Sequence, residues 1–191
     1  MKRRIAIFAS GTGSNARNLI TYFSGHPLAE VVLLVSNNPE AGALQHAARL
    51  NVPSAVFDKA GFNRPELILS CLQQHRIDLI VLAGFLLRVP TFLIEAFPKS
   101  IINLHPALLP KFGGKGMYGM HVHRAVKEAG ETRTGITIHY INEHYDEGEM
   151  IAQYSCPVDA DDTPEEIAQK VHQLEYRYYP QIIEQLLSPA E

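Results

Sequence analysis

Hydrophobic positions in this chain fall into short continuous runs that alternate with segments of helical period. The runs rich in valine and isoleucine predict buried strands at residues 5–9, 31–36, 79–83 and 101–104, and the segments between them predict helices at 16–23, 43–50 and 66–75. Continuous rather than alternating apolar runs are typical of parallel strands covered by helices on both faces. The first hundred residues therefore predict a doubly wound α/β sheet.

A different pattern follows residue 105. Residues 106–119 contain two prolines and four glycines, which predicts an irregular loop of the kind that is often functional. A helix is expected at 121–129, and two strands at 135–141 and 150–157 are expected to form a hairpin at the sheet edge. The complete prediction is a Rossmann-like, mostly parallel sheet with an antiparallel edge near the C-terminus.

A long closing helix is predicted from a capping sequence. Thr163 is an N-cap residue, Pro164 occupies the first helical position, and Glu166 stands three residues after the cap. Apolar residues recur on one face as far as residue 182, and Pro180 is expected to kink or interrupt the helix.

Composition narrows the class of protein. Of 191 residues, 46% are hydrophobic and 19% are charged, which favours one folded domain, 1–191, over a disordered chain or a coiled coil. The net charge of −3 and the scattered Lys and Arg residues predict neither nucleic-acid binding nor membrane binding. The apolar run after Met1 is too short for a signal peptide or a membrane span. Two cysteines, Cys71 and Cys156, predict no disulfide framework and favour a cytoplasmic location. The pattern predicts no oligomeric state.

The first strand-to-helix turn offers an anion site. It reads Ser10-Gly11-Thr12-Gly13-Ser14-Asn15-Ala16, so two glycines let backbone N–H groups and a helix N-terminus approach a phosphate. The spacing also fits a dinucleotide-binding turn, but Ser36-Asn37-Asn38 stands where that site needs an acidic residue. A phosphate monoester, a dinucleotide and an empty turn all remain as interpretations.

Polar residues at the end of the 101–104 run could carry chemistry. Asn103 and His105 are two residues apart and share a face, so an amide and an imidazole could stabilise charge on a carbonyl oxygen. Thr137 and His139 share a face of a later strand in the same way. Asp146, if it lies near His105, would raise the pKa of that imidazole and orient it. The alternatives are a capped strand end and a solvated loop acid.

A metal site is a weaker interpretation. His121 and His123 are two residues apart and no third ligand is evident, so they are expected to begin a helix and no metal is predicted.

Taken together, these segments resemble the phosphoribosylglycinamide formyltransferase family, folate-dependent enzymes of purine synthesis. The resemblance covers nearly the whole chain and is carried, in order, by Ser10-Gly11-Thr12-Gly13-Ser14-Asn15, Ala83-Gly84-Phe85, Asn103-Leu104-His105-Pro106-Ala107-Leu108-Leu109-Pro110-Lys111, Gly135-Ile136-Thr137-Ile138-His139 and Asp146. It implies transfer of a formyl group from 10-formyltetrahydrofolate to the amine of glycinamide ribonucleotide. It also implies a phosphate-binding half at 1–100 and a catalytic and folate-binding half at 101–191.

Site residues follow from the same resemblance. The catalytic residues would be Asn103, His105 and Asp146, with a protonated His105 donating to the oxyanion and Thr137 and His139 in support. The ribonucleotide would be held by Gly13, Ser14, Asn15 and Glu175. The folate would lie against Arg64, Leu87, Arg88, Val89, Asn103, Asn142, Glu143, His144, Tyr145 and Asp146.

Two segments depart from the family pattern. The loop 111–119 looks longer than in many bacterial members, and Glu147 replaces one of two glycines that often follow the catalytic aspartate. Other functions with the same residues are a formyltransferase for another amine and a folate hydrolase. A non-catalytic nucleotide-binding regulator would keep the glycine turn but has no need of Asn103, His105 and Asp146.

Overall fold

A computed structural model describes residues 1–188, so the last three residues of the expected domain lie outside the described part. Strands and helices alternate along the chain in the order β1 (Arg3–Phe8), α1 (Ser14–Tyr22), β2 (Ala29–Ser36), α2 (Gly42–Arg49), β3 (Ser54–Val56), α3 (Lys59–Phe62), α4 (Pro65–Gln74), β4 (Leu79–Leu82), α5 (Thr91–Ala96), β5 (Ile101–His105), α6 (Met120–Glu128), β6 (Arg133–Tyr140), β7 (Met150–Pro157) and α7 (Pro164–Leu187).

The strands form one seven-stranded sheet in the order β3-β2-β1-β4-β5-β6-β7. The first five in this order are parallel to one another, and β6 and β7 continue the sheet antiparallel. The predicted mostly parallel sheet with an antiparallel edge is therefore confirmed. The short elements β3, α3 and α5 were not predicted, because three to six residues carry little periodicity.

Each face of the sheet buries its own hydrophobic core. Along β1, Ile5 and Ile7 pack against α1, α2, α6 and α7, whereas Ala6 and Phe8 pack against α3, α4 and α5. The continuous apolar runs exist because both faces are covered. The doubly wound architecture places the carboxyl ends of β1, β4 and β5 at one edge, where open α/β sheets bind ligands.

Helix α7 shows how this sequence tolerates an internal proline. Of the two expected effects of Pro180, a kink or an interruption, the interruption does not occur, because α7 is continuous from Pro164 to Leu187. Proline has no N–H to bond the carbonyl four residues earlier, which is that of Tyr176. Instead, Asn18 Nδ2 donates to Tyr176 O at 2.9 Å, so that carbonyl keeps a partner. The predicted capping box is confirmed, with Thr163 and Glu166 bonding each other's backbone.

None of the helices within residues 1–188 is both long and apolar enough to cross a membrane.

Candidate active site

The register between β5 and β6 brings four polar side chains together. Asn103 lies opposite His139 and His105 lies opposite Thr137 in this antiparallel pair. Asn103 Nδ2 is 3.2 Å from His139 Nε2, so the amide can donate to the imidazole. The register thus joins the two predicted polar faces into one surface at the end of the parallel sheet.

Asp146 completes this group from the β6–β7 loop. Its Oδ2 is 3.5 Å from His105 Nδ1, and its Oδ1 is 3.6 Å from His139 Nε2. Gly114 N also donates to Oδ2, at 2.9 Å. The carboxylate therefore lies between two imidazoles, a contact that a separation of 41 residues in sequence could not show. We call Asn103, His105, His139 and Asp146 the Asp146 cluster.

Both imidazoles are oriented by backbone carbonyls on their other nitrogen. His105 Nε2 is 2.8 Å from Phe112 O, and His139 Nδ1 is 2.9 Å from Tyr140 O. A carbonyl oxygen only accepts, so these two nitrogens carry hydrogen. The remaining nitrogen of each ring faces the Asp146 carboxylate, which fixes the direction in which a proton can move.

The expected effect of Asp146 on His105 is only part of the electrostatic balance. His105 is 3% exposed, and burial lowers the pKa of its imidazole more strongly than Asp146 and the Phe112 carbonyl raise it. The predicted upward effect of Asp146 on the His105 pKa is confirmed, but burial makes the net shift downward, so the expectation of a protonated His105 is wrong. For Asp146, burial raises the pKa, but the neighbouring His139 and His105 imidazoles and the Gly114 N–H lower it further. At neutral pH the ligand-free site holds an ionised Asp146 and a mainly neutral His105.

Thr137 supports the segment that follows His105. Its fully buried Oγ1 donates to Ala107 O at 2.7 Å and accepts from Leu109 N at 3.0 Å. Gln153 on β7 donates from Nε2 to both Thr137 Oγ1 and Leu109 O, each at 2.9 Å. Sequence reasoning missed Gln153, because its role depends on the β6–β7 register that places it opposite Thr137.

The loop 111–119 lies directly on the Asp146 cluster. Phe112 adopts a left-handed backbone conformation (φ 56°) that directs its carbonyl to His105, while its side chain packs against the core. Lys111 Nζ pairs with Glu131 at 2.6 Å at the base of this loop. The sequence had assigned no contact to the loop. In this conformation it occupies the hydrogen-bonding positions that a ligand would need on His105 and Asp146.

The glycine turn after β1 has the geometry of an anion site. Gly13 has φ 79°, and a Cβ there would lie 2.4 Å from Ala43 Cα, so only glycine fits. The first helical bond of α1 runs from Arg17 N to Gly13 O, which leaves the N–H groups of Ser14, Asn15 and Ala16 directed out of the helix. No side chain among residues 1–188 caps this N-terminus.

Asn37 and Asn38 tie the turn to neighbouring loops. Ser10 Oγ donates to Asn37 Oδ1 and accepts from Leu86 N at 2.9 Å, and Asn38 Nδ2 donates to Ser10 O at 3.4 Å. These residues therefore fix the glycine turn against the loop after β4. They supply no carboxylate for a dinucleotide ribose.

Asn15 and Glu175, predicted to bind one substrate, are in direct contact. Asn15 Nδ2 and His172 Nδ1 each donate to Glu175 Oε2 at 2.8 Å. Glu175 is 3% exposed, and its hydrogen bond raises the pKa of His172 above the ordinary histidine value. His123 of α6 lies beside His172, with ring centroids 6.3 Å apart. We call Asn15, His123, His172 and Glu175 the Glu175 cluster.

The predicted folate residues divide into two groups. A cavity of about 330 Å³ is lined by Arg88, Gly114, Lys115, Glu143, His144, Tyr145 and Glu147. Arg88 Nη2 donates to Glu143 O at 2.5 Å, which joins the loop after β4 to the β6–β7 loop. Arg64 does not line this cavity; it precedes α4 and pairs with Glu66 at 2.7 Å. Leu87, Val89, Asn103, Asn142 and Asp146 also lie outside the lining, and Val89 packs into the core.

The backbone of the β6–β7 loop accommodates Glu147. Among residues 142–149, positive φ occurs at Asp146 (56°), not at Glu147. The position that requires glycine is 148, where a Cβ would lie 1.7 Å from Tyr140 O. Glu147 is exposed at the cavity, so its side chain does not disturb the fold of the loop.

The two histidines of α6 differ in environment. His121 is exposed and His123 is buried, as expected for residues two apart, which lie on opposite sides of a helix. Within residues 1–188, no three His, Cys, Asp or Glu side chains are grouped to hold a metal ion.

Comparison with known proteins gives one consistent family. The formyl transferase family model matches residues 3–183. Chloroplastic phosphoribosylglycinamide formyltransferases from Arabidopsis thaliana and Vigna unguiculata are 43% and 41% identical over 95% and 97% of this chain. The chain spans 64% and 61% of the lengths of these two plant relatives. Phosphoribosylglycinamide formyltransferase from Bacillus subtilis (strain 168) is 38% identical over 97% of this chain and 95% of its own length.

Solved structures give the same result. Glycinamide ribonucleotide transformylase 1 from Geobacillus kaustophilus superposes with a TM-score of 0.89 at 35% identity, over 98% of this chain and all of that one. Phosphoribosylglycinamide formyltransferase from Anaplasma phagocytophilum superposes with a TM-score of 0.90 at 31% identity, over 98% of this chain and 87% of that one. The chain therefore belongs to the formyl transferase family, in the branch whose members are named phosphoribosylglycinamide formyltransferase.

Proposed function

We propose that this chain transfers the formyl group of 10-formyltetrahydrofolate to the primary amine of glycinamide ribonucleotide, a step of de novo purine biosynthesis. The observation that supports this best is the Asp146 cluster, where an amide, two imidazoles and a carboxylate meet at the carboxyl edge of the sheet. The same edge carries an anion-binding turn after β1 and a cavity bordered by the loops after β4 and β6. This arrangement suits two substrates, one of which carries a phosphate.

The proposed chemistry follows from the protonation states. As the amine nitrogen bonds to the formyl carbon, its proton passes through water and Asp146 to Nδ1 of neutral His105, because Nε2 already carries a hydrogen. The resulting imidazolium lies beside Asp146 and, together with the Asn103 amide, stabilises the oxyanion. When the bond from that carbon to N10 of the folate breaks, His105 returns the proton to N10. This assignment differs from the expectation that His105 is protonated beforehand, and it follows from the burial that lowers the pKa of His105.

Access to His105 requires a change in the loop 111–119. Phe112 O occupies His105 Nε2 and Gly114 N occupies Asp146 Oδ2 in this conformation. A substrate oxygen that hydrogen-bonds His105 Nε2 must replace the Phe112 carbonyl. The loop therefore acts as part of the site rather than as a connection between elements.

Residues of this chain fit both substrates. The Ser14, Asn15 and Ala16 N–H groups would hold the ribonucleotide phosphate, and Glu175 would contact the same substrate. The cavity, whose lining includes Arg88, Lys115, Glu143 and Glu147, would hold part of the folate, with the glutamate tail near Arg64. The folate would extend over the loops at 87–89 and 142–146 towards Arg64, and no metal is part of the proposal.

In a cytoplasmic enzyme, the two halves of the chain would supply different parts of the active site. Residues 1–100 supply the phosphate turn and residues 101–191 supply the catalytic groups. Each half also reaches into the other's site, because Arg88 lines the cavity and Glu175 bonds Asn15. Cys71 and Cys156 are free thiols, which suits a reducing compartment.

Incubation of the purified protein with 10-formyltetrahydrofolate, with and without glycinamide ribonucleotide, tests the proposal. We expect tetrahydrofolate and formylated ribonucleotide to form in equal amounts, and only when both substrates are present. Folate turnover at the same rate without the amine would instead identify a hydrolase. Transfer only to an amino sugar or to charged initiator tRNA would identify a formyltransferase for another amine.

A further inference from the structure

His123 is a buried histidine that lacks a hydrogen-bond partner. It lies in α6, it is 2% exposed, and its Nδ1 finds no partner among residues 1–188. Buried polar atoms are nearly always hydrogen-bonded, because an unpaired one loses its water without compensation. An imidazole in this position is explained most directly by a partner that is not part of the chain.

A second atom of the Glu175 cluster is in the same condition. Asn15 Nδ2 donates to Glu175 Oε2, but Asn15 Oδ1 is buried without a partner among the described residues. His172 connects the two ends of the cluster, since it bonds Glu175 at 2.8 Å and its ring meets that of His123 edge to face. The two unpaired atoms thus belong to one group of side chains, which extends from α6 to the N-terminus of α1.

The chemistry of these atoms limits the kind of partner that can pair with them. Asn15 Oδ1 can only accept, so its partner must donate. Burial, followed by the charge of His172, lowers the pKa of His123 to about 4, so its ring is neutral and has one donor and one acceptor nitrogen. A phosphate has no hydrogen to give Asn15 at neutral pH and is better placed at the α1 N–H groups. A hydroxyl group can satisfy either atom, because it donates and accepts.

We propose that His123 is a substrate-binding residue whose Nδ1 hydrogen-bonds a ring hydroxyl of a phosphorylated ribose. This inference rests on the proposed function, in which the ribose of glycinamide ribonucleotide links the phosphate at α1 to the amine near His105. His123 packs edge to face against His172, which bonds Glu175, so it lies beside the residues expected to contact that substrate. The sequence pattern had suggested for this residue only a metal pair or a helix start.

Two variants separate a binding role from a packing role. His123→Phe keeps the volume of the ring and removes both nitrogens, whereas His123→Asn keeps a polar atom near the position of Nδ1. His121→Phe, two residues earlier on the exposed side of α6, is the matched control. Each protein is tested by calorimetry with ribose 5-phosphate, by steady-state kinetics with glycinamide ribonucleotide and by thermal melting.

We expect His123→Phe to weaken ribose 5-phosphate binding and to raise the KM for glycinamide ribonucleotide by roughly ten-fold each, with kcat nearly unchanged. His123→Asn should recover most of the affinity, and the melting temperature of His123→Phe should not fall. The His121→Phe control should behave like the unmodified protein. Unchanged affinity in His123→Phe, or equal losses in the Phe and Asn variants, would overturn the proposal.

Ribose 5-phosphate also separates this proposal from the proposed function. It carries the phosphate and the ring hydroxyls but no amine, so its binding does not depend on formyl transfer. Loss of its affinity in His123→Phe, in a protein that never formylates glycinamide ribonucleotide, would support the contact and refute the reaction. If the unmodified protein formylates glycinamide ribonucleotide but His123→Phe binds ribose 5-phosphate with normal affinity, the reaction is supported and the His123 contact is refuted.

Discussion

The Asp146 cluster and the Glu175 cluster differ in how far the protein satisfies its own polar atoms. Around Asp146, each ring nitrogen of His105 and His139 faces a carbonyl, an amide or the carboxylate. In the Glu175 cluster, Asn15 Oδ1 and His123 Nδ1 have no partner within the described chain. A ligand must therefore replace internal hydrogen bonds at the first cluster, whereas it adds hydrogen bonds at the second.

The two clusters therefore suit different roles: the Asp146 cluster suits catalysis, and the Glu175 cluster suits substrate recognition. The Asp146 cluster holds its groups in fixed directions before the substrates arrive, which is the arrangement that electrostatic catalysis needs. The incomplete bonding of the Glu175 cluster raises the free energy of the empty protein there and so favours a ligand that completes it. Mutations in the first cluster should mainly change the rate, and mutations in the second should mainly change affinity.

The largest effect is expected for His105→Ala. Loss of the group that carries the proton and faces the oxyanion should lower kcat roughly 100- to 1000-fold, while the affinities for both substrates change little. Because His105 is 3% exposed, the free energy of unfolding should also fall by roughly 1–3 kcal/mol. Stopped-flow rates and urea unfolding measure the two quantities. Retention of a tenth of the rate would remove His105 from the catalytic step.

A matched pair in the β6–β7 loop tests what holds Asp146 in place. Gly148→Ala puts a Cβ 1.7 Å from Tyr140 O and should cost roughly 3 kcal/mol of stability together with most folate affinity. Glu147→Gly should change stability by less than about 1 kcal/mol, because Glu147 is exposed and has ordinary backbone angles. Urea unfolding and folate titration compare the two. Equal costs would contradict the assignment of position 148 as the one that needs glycine.

Acid stability tests the Glu175 cluster. His123 has a pKa of about 4 in the folded protein against 6.5 when unfolded, so the unfolded chain binds more protons and stability is lost as pH falls from 6.5 towards 4. His123→Phe lacks this titrating group. On going from pH 7.5 to 5, its free energy of unfolding should therefore fall by roughly 1–2 kcal/mol less than that of the unmodified protein. Urea unfolding at the two pH values checks it. The same pH dependence in both proteins would mean that folding leaves the pKa of His123 unchanged.

The smallest effect is a displacement of the pH profile. Neutral His105 is the proposed proton acceptor, so kcat/KM should fall as pH drops through its depressed pKa, below the ordinary histidine value of 6.5. Asp146 raises that pKa, so Asp146→Asn should move the acid limb of the residual activity to lower pH. A limb that moves to higher pH would show that Asp146 acts on another group.

Strand periodicity and capping signals predicted the parallel sheet, the antiparallel edge and the start of α7. These features depend on local patterns, such as the apolar run of β1 and the Thr163–Glu166 box. Continuity through Pro180 depended on Asn18, 162 residues away in sequence, which supplies the donor that proline lacks. Local sequence rules do not predict a hydrogen bond that a distant side chain supplies.

The site residues likewise divide into features that the local sequence predicts and contacts that depend on the tertiary structure. The shared face of Asn103 and His105 follows from a period of two, but their contact with His139 and Asp146 depends on the β5–β6 register and a loop. The net direction of the His105 pKa shift depended on burial, which the Asn-Leu-His-Pro sequence does not reveal. Gln153, His123 and the Phe112 carbonyl gained their roles through tertiary packing alone.

The claim that His105 and Asp146 act as one catalytic unit is tested most directly by single-turnover formyl transfer in a double-mutant cycle. The proteins are the unmodified chain, His105→Ala, Asp146→Asn and the double variant, each saturated with both substrates. We expect the double variant to be about as slow as the slower single variant, because the two side chains share one proton transfer. A double variant whose loss equals the product of the two single losses would contradict the claim and assign Asp146 to a separate step.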